Sequence, residues 1–289
     1  MKLPAELPEI KRLAPMPVSV VRLAEITCDR NADMGQIAQV IQYDPALAAN
    51  ALRLANSAWS GASRHIETVK DAVLRVGVAQ ILKLAVGGRV LRAMNRACGG
   101  YGMGEHELWR HSVAAALAAE KMDTFIAEPA SPAAFTACLI HDIGKLVLSR
   151  YLDKAAGELI LEAARKEDVT YWQAEREVLG TDHAAVGALV ARHWEFPETL
   201  VNAIERHHDP DAKPDHLLDV VHIANAVAKL AGVGLGSEGM NLHASCDSCR
   251  RLGLAASGVE KLCAEVLYGL AKAEEFWRTD DNGAQHPRG

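Results

Sequence analysis

Twelve histidines stand among the 289 residues, and some of them fall where imidazole side chains could bind a metal ion. The most distinctive are His141 and Asp142, a pair that lies inside the apolar run from Ala137 to Leu148. A charged pair in such a run is costly to bury unless it meets other charges or a metal. The further candidate metal ligands in the central region of the chain are His111, His183, His207 and His208.

The types of these residues suit a metal ion that acts on a phosphate group. Imidazoles with a single carboxylate suit divalent transition metals such as iron, manganese, cobalt, nickel or zinc better than calcium or magnesium. Such an ion lowers the pKa of bound water and clamps a phosphate group. Lys145 follows His141 by four residues on the same helical face, so it could contact a phosphate as a point charge. Asp142 and Lys145 are therefore the candidate catalytic residues.

The plainer interpretation of each histidine stays open beside this one. A single histidine is more often a surface residue or a buried residue with ordinary hydrogen bonds than a metal ligand. His193, His216, His243 and His286 are interpreted in that way. For the set around Asp142, a metal site and ordinary buried histidines remain alternatives at this point.

The elements that must position these residues are predicted to be helices. Apolar residues recur three and four apart throughout, and no stretch alternates strictly as a half-buried strand does. Asp33 is predicted to cap a helix over 34–42, and Asp44 with Pro45 a helix over 46–55. Ser131 and Pro132 precede a third helical run over 133–148, in which Gly144 would let another group approach closely. We therefore predict an all-α fold.

Glycine-rich stretches divide the chain. The stretch 96–104 is predicted to be a flexible connector, and 231–248 is a second boundary. The predicted units are an N-terminal helical lobe (5–98), a central helical lobe (105–232) packed against it, a C-terminal helical appendage (249–277) and a disordered tail (278–289). In the first lobe Asn56 and Ser57 either end a capped helix or reach the neighbouring lobe, where buried polar groups need partners. The amphipathic segment at 259–277 is expected to dock on its own chain.

Composition excludes several classes of protein. The chain is 49% hydrophobic and 24% charged, which is too apolar for a disordered chain. Its net charge of −6, without a dense Lys/Arg block, argues against direct binding to nucleic acid. The start of the chain has no secretion signal, and no apolar run is long enough to span a membrane. We expect a cytoplasmic protein.

The chain resembles the HDOD domain, the HD-related output domain of bacterial signalling proteins, within the HD superfamily of metal-dependent phosphohydrolases. The match spans roughly residues 5–232. It rests on several motifs along the chain: Leu7-Pro8, Ile41 to Leu47, Leu52 to Ala58, Asp71 to Gly77, Trp109 to Ser112, Leu139 to Leu148, Asp182-His183 with Val186-Gly187, Trp194, Pro197, Ala203-Ile204 and His207-His208.

The resemblance implies roles for individual residues. His111 matches the first histidine ligand, and His141 with Asp142 matches the His-Asp pair. His183, His207 and His208 match the histidines that support a second metal in the cyclic-dinucleotide phosphodiesterase branch. Two departures weaken the enzymatic expectation: Asn225 stands where the pattern closes on an aspartate, and no Gly-Tyr-Pro follows His208. His222, one turn before Asn225, is a candidate to compensate.

Two functions follow from these residues and this resemblance. The preferred one is a cytoplasmic regulatory module of a bacterial signalling pathway, such as a two-component pathway, which acts through contacts with a protein partner and carries a vestigial or structural metal site. The alternative is an HD-type phosphohydrolase that acts on a nucleotide or other phosphoester.

Overall fold

The predicted all-α class is confirmed within the ranges of the chain that the structure describes. The computed structural model describes residues 2–4, 7–28, 33–57, 60, 65–78, 80–82, 85–86, 94–239 and 244–283, with the backbone alone for 272–283. Within these ranges it has fifteen α-helices, two 3-10 helices and no strand. No helix among the described residues has the length and apolar character required to cross a membrane. The predicted tail, 278–289, begins inside the last helix. Its residues 284–289, which include His286, lie outside the described residues, as does His243.

The described part of the first lobe contains five helices, and capping side chains begin three of them. They are α1 (Pro8–Lys11), α2 (Val18–Cys28), α3 (Met34–Gln42), α4 (Pro45–Ala55) and α5 (Val69–Val76). The Asp33 carboxylate accepts from the Gly35 N–H at the start of α3, and the Asp44 carboxylate accepts from Ala46 and Leu47 at the start of α4. Both predicted helix starts are confirmed, because each carboxylate satisfies N–H groups that have no partner within the helix.

The central lobe contains eight helices, and a further pair follows it towards the C-terminus. The central helices are α6 (Glu107–Met122), α7 (Ala134–Ile140), α8 (Ile143–Leu148), α9 (Lys154–Glu167), α10 (Tyr171–Leu179), α11 (His183–His193), α12 (Glu198–Arg206) and α13 (His216–Leu230). They are followed by α14 (Cys246–Leu252) and α15 (Ala256–Gly283). Helix α6 packs against α7, α13 and α15, while α11 packs between α8 and α12.

Small side chains explain how one helix contacts three others. Five buried alanines on α6 let the neighbouring helix axes come close: Ala114, Ala115, Ala116, Ala118 and Ala119. Helix α15 buries Leu262, Val266 and Leu270. The expectation that this segment docks on its own chain is confirmed by its contacts with α6 and α13.

The two lobes meet through main-chain acceptors as well as apolar contacts. The indole Nε1 of Trp194, just after α11, donates to the carbonyl of Ala14 at 3.1 Å. The N–H of Leu3 donates to the carbonyl of Leu179 at 2.9 Å. The N-terminal segment is thereby fixed to the central lobe, beside the helices that carry histidines.

Two local expectations were wrong. The run 133–148 is not one helix, because it breaks at His141 and Asp142 into α7 and α8. The stretch 96–104 is not an open connector: it contains a 3-10 helix over Gly99–Tyr101 and an isolated bridge between Cys98 and Met103. The Tyr101 side chain is buried beside the histidines, and this burial holds the segment in place.

Candidate metal centre

The helix break at His141 places the carboxylate of Asp142 at the centre of a ring of histidines. Asp142 has φ −97° and ψ 12°, outside regular helix, and its side chain is 1% exposed. Four imidazole Nε2 atoms lie 3.4–3.6 Å from its two oxygens. Those of His111 and His141 lie next to Oδ2, and those of His183 and His207 lie next to Oδ1.

Each of the four rings is oriented by an acceptor on its other side. The Nδ1 atoms of His111, His141 and His207 donate to the carbonyls of Val233, Cys138 and Ile204 at 3.0, 2.6 and 2.7 Å. The Nδ1 of His183 donates to the buried carboxylate of Glu175. Since a carbonyl can only accept, the proton of a neutral ring stays on Nδ1 and Nε2 presents a lone pair. Metal-binding histidines show this second hydrogen bond almost without exception.

Three of the buried atoms facing one another have no hydrogen-bond partner. They are the Nε2 atoms of His141 and His207 and the Oδ1 atom of Asp142. A buried polar atom without a partner costs free energy comparable to a lost hydrogen bond. A positive ion between these atoms would satisfy all three at once. The donor set, imidazoles with one carboxylate, suits a divalent transition metal.

The potential ligands fall into two groups of closely spaced donor atoms. His111, His141 and Asp142 form the first, and His183, His207 and His208 form the second. Within the second group the Nε2 atoms of His183 and His208 are 2.7 Å apart, and the ring of His208 is stacked on Trp172 with centroids 5.9 Å apart. All six residues predicted as metal ligands are therefore brought together.

Close packing of α8 against α11 joins the two groups. A Cβ at Gly144 would lie 1.9 Å from the carbonyl oxygen of His183 and 2.6 Å from the N–H nitrogen of Gly187. Only glycine permits this approach. The expectation that Gly144 admits a close neighbour is confirmed, and the neighbour is the backbone that carries a histidine of the second group.

Burial sets the protonation of the cluster. Burial lowers the pKa of His111 to about 4 and holds the pKa values of His207 and His208 well below their usual range. Burial also lowers the pKa of His183, but the Glu175 carboxylate outweighs it and the net pKa is raised. For Asp142, burial raises the pKa, while His141 and Lys145 lower it more strongly and leave it well below the usual range. The carboxylate is thus charged, and His111, His207 and His208 are neutral at pH 7.

Lys145 lies inside the site instead of projecting into solvent. Its ammonium donates to Asp142 Oδ2 at 2.7 Å and lies 2.8 Å from Oε1 of Glu238. The second oxygen of Glu238 accepts from Lys229 at 2.9 Å. Burial lowers the pKa of Lys145, but the two carboxylates outweigh this and raise it, so Lys145 stays protonated.

Asn225 contacts the first group from α13. Its Oδ1 lies 3.0 Å from His111 Nε2, at the position where the resemblance expected an aspartate. His111 keeps its proton on Nδ1, so its Nε2 can only accept a hydrogen bond. The amide of Asn225 donates to this Nε2 when its NH2 group takes the place of its oxygen, and a flip of the amide exchanges the two without moving any other atom. A carboxylate could not donate in this way.

Three residues singled out from the sequence have other roles in the structure. His222 does not face the cluster: its Nδ1 donates to the carbonyl of His207, and its Nε2 accepts from the N–H of Ser245. Asn56 bonds in both directions with the backbone of Ile66, and Ser57 donates to the carbonyl of Leu54. Among the described residues these contacts lie within the first lobe, as the capped-helix interpretation expects.

Sequence reasoning did not find the residues that orient and neutralise the site. Glu175 orients His183 and also accepts from the hydroxyl of Tyr101 at 2.6 Å. Glu238 and Lys229 bring a buried ion pair beside Lys145. Nothing in the local pattern marks these residues, since ordinary polar helix positions and a glycine-rich loop carry them.

Comparison with known proteins places the chain in a family. Residues 13–210 match the family model of the HDOD domain, which covers more than half of the chain. The chain therefore belongs to the HDOD domain family.

Individual relatives agree with this assignment. An HDOD domain protein of unknown function from Geobacter sulfurreducens is 26% identical, with a TM-score of 0.58 over 89% of this chain and 84% of that chain. A Marinobacter aquaeolei protein assigned to signal transduction has a TM-score of 0.69 at 22% identity, over 96% of this chain and 61% of that chain. At this identity the likeness concerns the fold alone.

Two further relatives are a solved structure and a curated protein sequence. A Shewanella amazonensis protein assigned as a phosphohydrolase has a TM-score of 0.53 at 22% identity, over 90% of this chain and 97% of that chain. An uncharacterized protein of Treponema pallidum is 28% identical over 78% of this chain, and the match covers 41% of that protein. The chain thus spans less than half the length of this curated relative.

Proposed function

We propose that the chain is a cytoplasmic signal-transduction module that acts through a protein partner, and that its histidine cluster binds a divalent transition-metal ion with a structural or sensing role instead of a hydrolytic one. We expect neither nucleic acid nor a membrane surface as the direct partner. The HDOD family and the signal-transduction assignment of the Marinobacter aquaeolei relative support the regulatory role.

The contact of Asn225 with His111 carries this proposal. An amide at the expected aspartate position supplies no charge to an ion, and it already satisfies the His111 nitrogen in the metal-free state. Asp142 is then the single carboxylate within the two donor groups, and one of its oxygens accepts from Lys145. A site of one carboxylate and neutral imidazoles can hold an ion, but it gives little charge to hold two.

Metal analysis joined to an activity assay tests this. Protein purified without chelator is analysed for iron, manganese, nickel, cobalt and zinc, then assayed against a panel of phosphoesters. We expect about one ion per chain, lost in Asp142→Ala and kept in Glu205→Ala, a surface carboxylate change on α12. Turnover that disappears in Asp142→Ala would refute the regulatory assignment, and absence of metal when every ion is supplied would refute the metal site.

The second candidate is an HD-type phosphohydrolase. It is favoured by the four Nε2 atoms around Asp142 and by Lys145, whose charge beside them is suited to a phosphate oxygen. A metal ion held there would supply an activated water. The residues of the chain would then hold the ion through His111, His141 and Asp142 and orient the phosphate through Lys145. The same activity panel separates the two candidates.

A further inference from the structure

A buried carboxylate lies between two buried ammonium groups next to the histidine cluster. Glu238 is 5% exposed, and its two oxygens lie 2.8 Å from Lys145 Nζ and 2.9 Å from Lys229 Nζ. Both lysines are themselves buried, at 1% and 7% exposure. Neither ammonium group can ligate a metal ion, so the positive charges of this pair are not explained by metal binding.

The carboxylate and the lysines sit on different kinds of element. Lys145 and Lys229 lie on helices α8 and α13. Glu238 ends a three-residue 3-10 helix in a loop where Gly232, Gly234 and Gly236 all have positive φ. The loop packs on His111 and Tyr101 through Gly234 and Gly236, but it has fewer regular hydrogen bonds than the helices that carry the lysines. Of the three charged groups, Glu238 is therefore the one whose movement would disturb the helices least.

The vacated position would be open to a ligand. Lys229 and Glu238 line a cavity of about 430 Å³ that also reaches His208, Asn225 and Trp172. Lys145 does not line the cavity while Glu238 pairs with it, but without the carboxylate its ammonium group would be uncovered beside that of Lys229. Two fixed ammonium groups at a partly buried position form a site for an anion with several acceptor oxygens, such as a phosphate group.

We propose that Lys145 and Lys229 form a subsite for a phosphate group, and that Glu238 fills this subsite in the ligand-free protein. A phosphate-bearing ligand then binds by displacing Glu238 from the lysines. The displacement moves the loop 232–239, which packs on the elements that carry the site. The subsite does not require a metal ion, so its test is independent of the proposed metal role.

Phosphate titration of metal-free protein, from which chelator has been removed, tests the subsite. Inorganic phosphate binding is measured by calorimetry for the wild type, Glu238→Gln and the matched surface control Glu205→Gln. We expect Glu238→Gln to bind at least about tenfold more tightly than the wild type, because the competing charge is gone. Glu205→Gln should match the wild type, and the double variant Lys229→Met with Glu238→Gln should lose the gain. Equal affinity of the wild type and a folded Glu238→Gln would overturn the proposal.

The wild type gives a second measurement if Glu238→Gln does not fold. Amide hydrogen exchange is followed by mass spectrometry with and without saturating phosphate. We expect phosphate to speed exchange within 232–239 while α6 and α13 stay protected. Unchanged exchange in this loop at saturating phosphate would refute the displacement.

Discussion

Replacing Gly144 by alanine separates two opposite expectations. Helix propensity alone predicts stabilisation, because alanine exceeds glycine by about 1 kcal/mol in a helix interior. The structure predicts the reverse, since the new Cβ would lie 1.9 Å from the His183 carbonyl oxygen and 2.6 Å from the Gly187 nitrogen. Both neighbours are backbone atoms, so no side-chain rotation can relieve the contact.

The magnitude follows from the distance that must be regained. Ordinary van der Waals contact begins at 3.4 Å, so α8 and α11 must separate by about 1.5 Å. Overpacking of this kind costs roughly 1–3 kcal/mol or more. Because the clashing atoms are backbone, the cost lies at the top of this range, and after a propensity gain of about 1 kcal/mol we expect Gly144→Ala to lower the free energy of unfolding by about 2 kcal/mol. Metal ligation tolerates displacements of only about 0.2 Å, so ligands shared between Asp142 and His183 should be lost as well.

Urea unfolding and metal analysis measure the two effects. The matched control is Gly99→Ala, where a new Cβ meets no atom within 4 Å. We expect this control to keep both the stability and the metal content of the wild type. A Gly144→Ala protein that is more stable than the wild type, or that retains its metal, would refute the close spacing of α8 and α11.

Three further predictions concern charge and hydrogen bonding. Asn225→Asp should strengthen metal binding by about 10-fold to 100-fold, because it adds a charged oxygen at 3.0 Å from His111 Nε2. Competition with a metal-binding dye measures the affinity. Unchanged affinity would place residue 225 outside the ligand set. Metal-free protein should lose stability as the pH falls from 6.5 towards 4, because His111 binds a proton in the unfolded chain but stays neutral when buried. A folded pKa of about 4 makes the full loss from this residue about 3 kcal/mol. Urea unfolding at several pH values measures the loss. His207 and His208 act in the same direction and outnumber His183, whose raised pKa acts against them, so a flat profile between pH 7 and pH 5 would contradict the neutral state of the three histidines. Asn56→Ala should cost roughly 1–3 kcal/mol by breaking the bonds to Ile66, whereas Asn50→Ala on the same helix should cost much less; equal unfolding midpoints would argue against the anchor.

Helix positions were predictable because local chemistry fixes them. The caps at Asp33 and Asp44 act on N–H groups two or three residues away, so the sequence window contains the whole interaction. The break at His141 was not predictable in this way. The residues 133–148 read as one apolar helix, and the break becomes evident only when four rings from separate helices surround Asp142.

The ligand set could be proposed from the sequence, whereas the residues that orient it could not. The family pattern marks His111, His141, Asp142 and the later histidines. Glu175 acts through a tertiary contact with His183, and Glu238 acts through one with Lys145. Nothing in the sequence around either glutamate indicates these contacts. The same reason explains the error at 96–104, where the glycines suggested an open connector but Tyr101 buries its ring against the site.

The buried charges explain why an asparagine at position 225 is compatible with a stable fold. The ammonium groups of Lys145 and Lys229 face the carboxylates of Asp142 and Glu238, so buried groups of opposite charge meet one another. An aspartate at 225 would add a further buried negative charge, which a bound cation or a proton would have to neutralise. With asparagine no such neutralisation is needed, and a bound ion would be an added positive charge that weakens the hold of Asp142 on Lys145. Metal binding and the arrangement of the lysines would then be coupled.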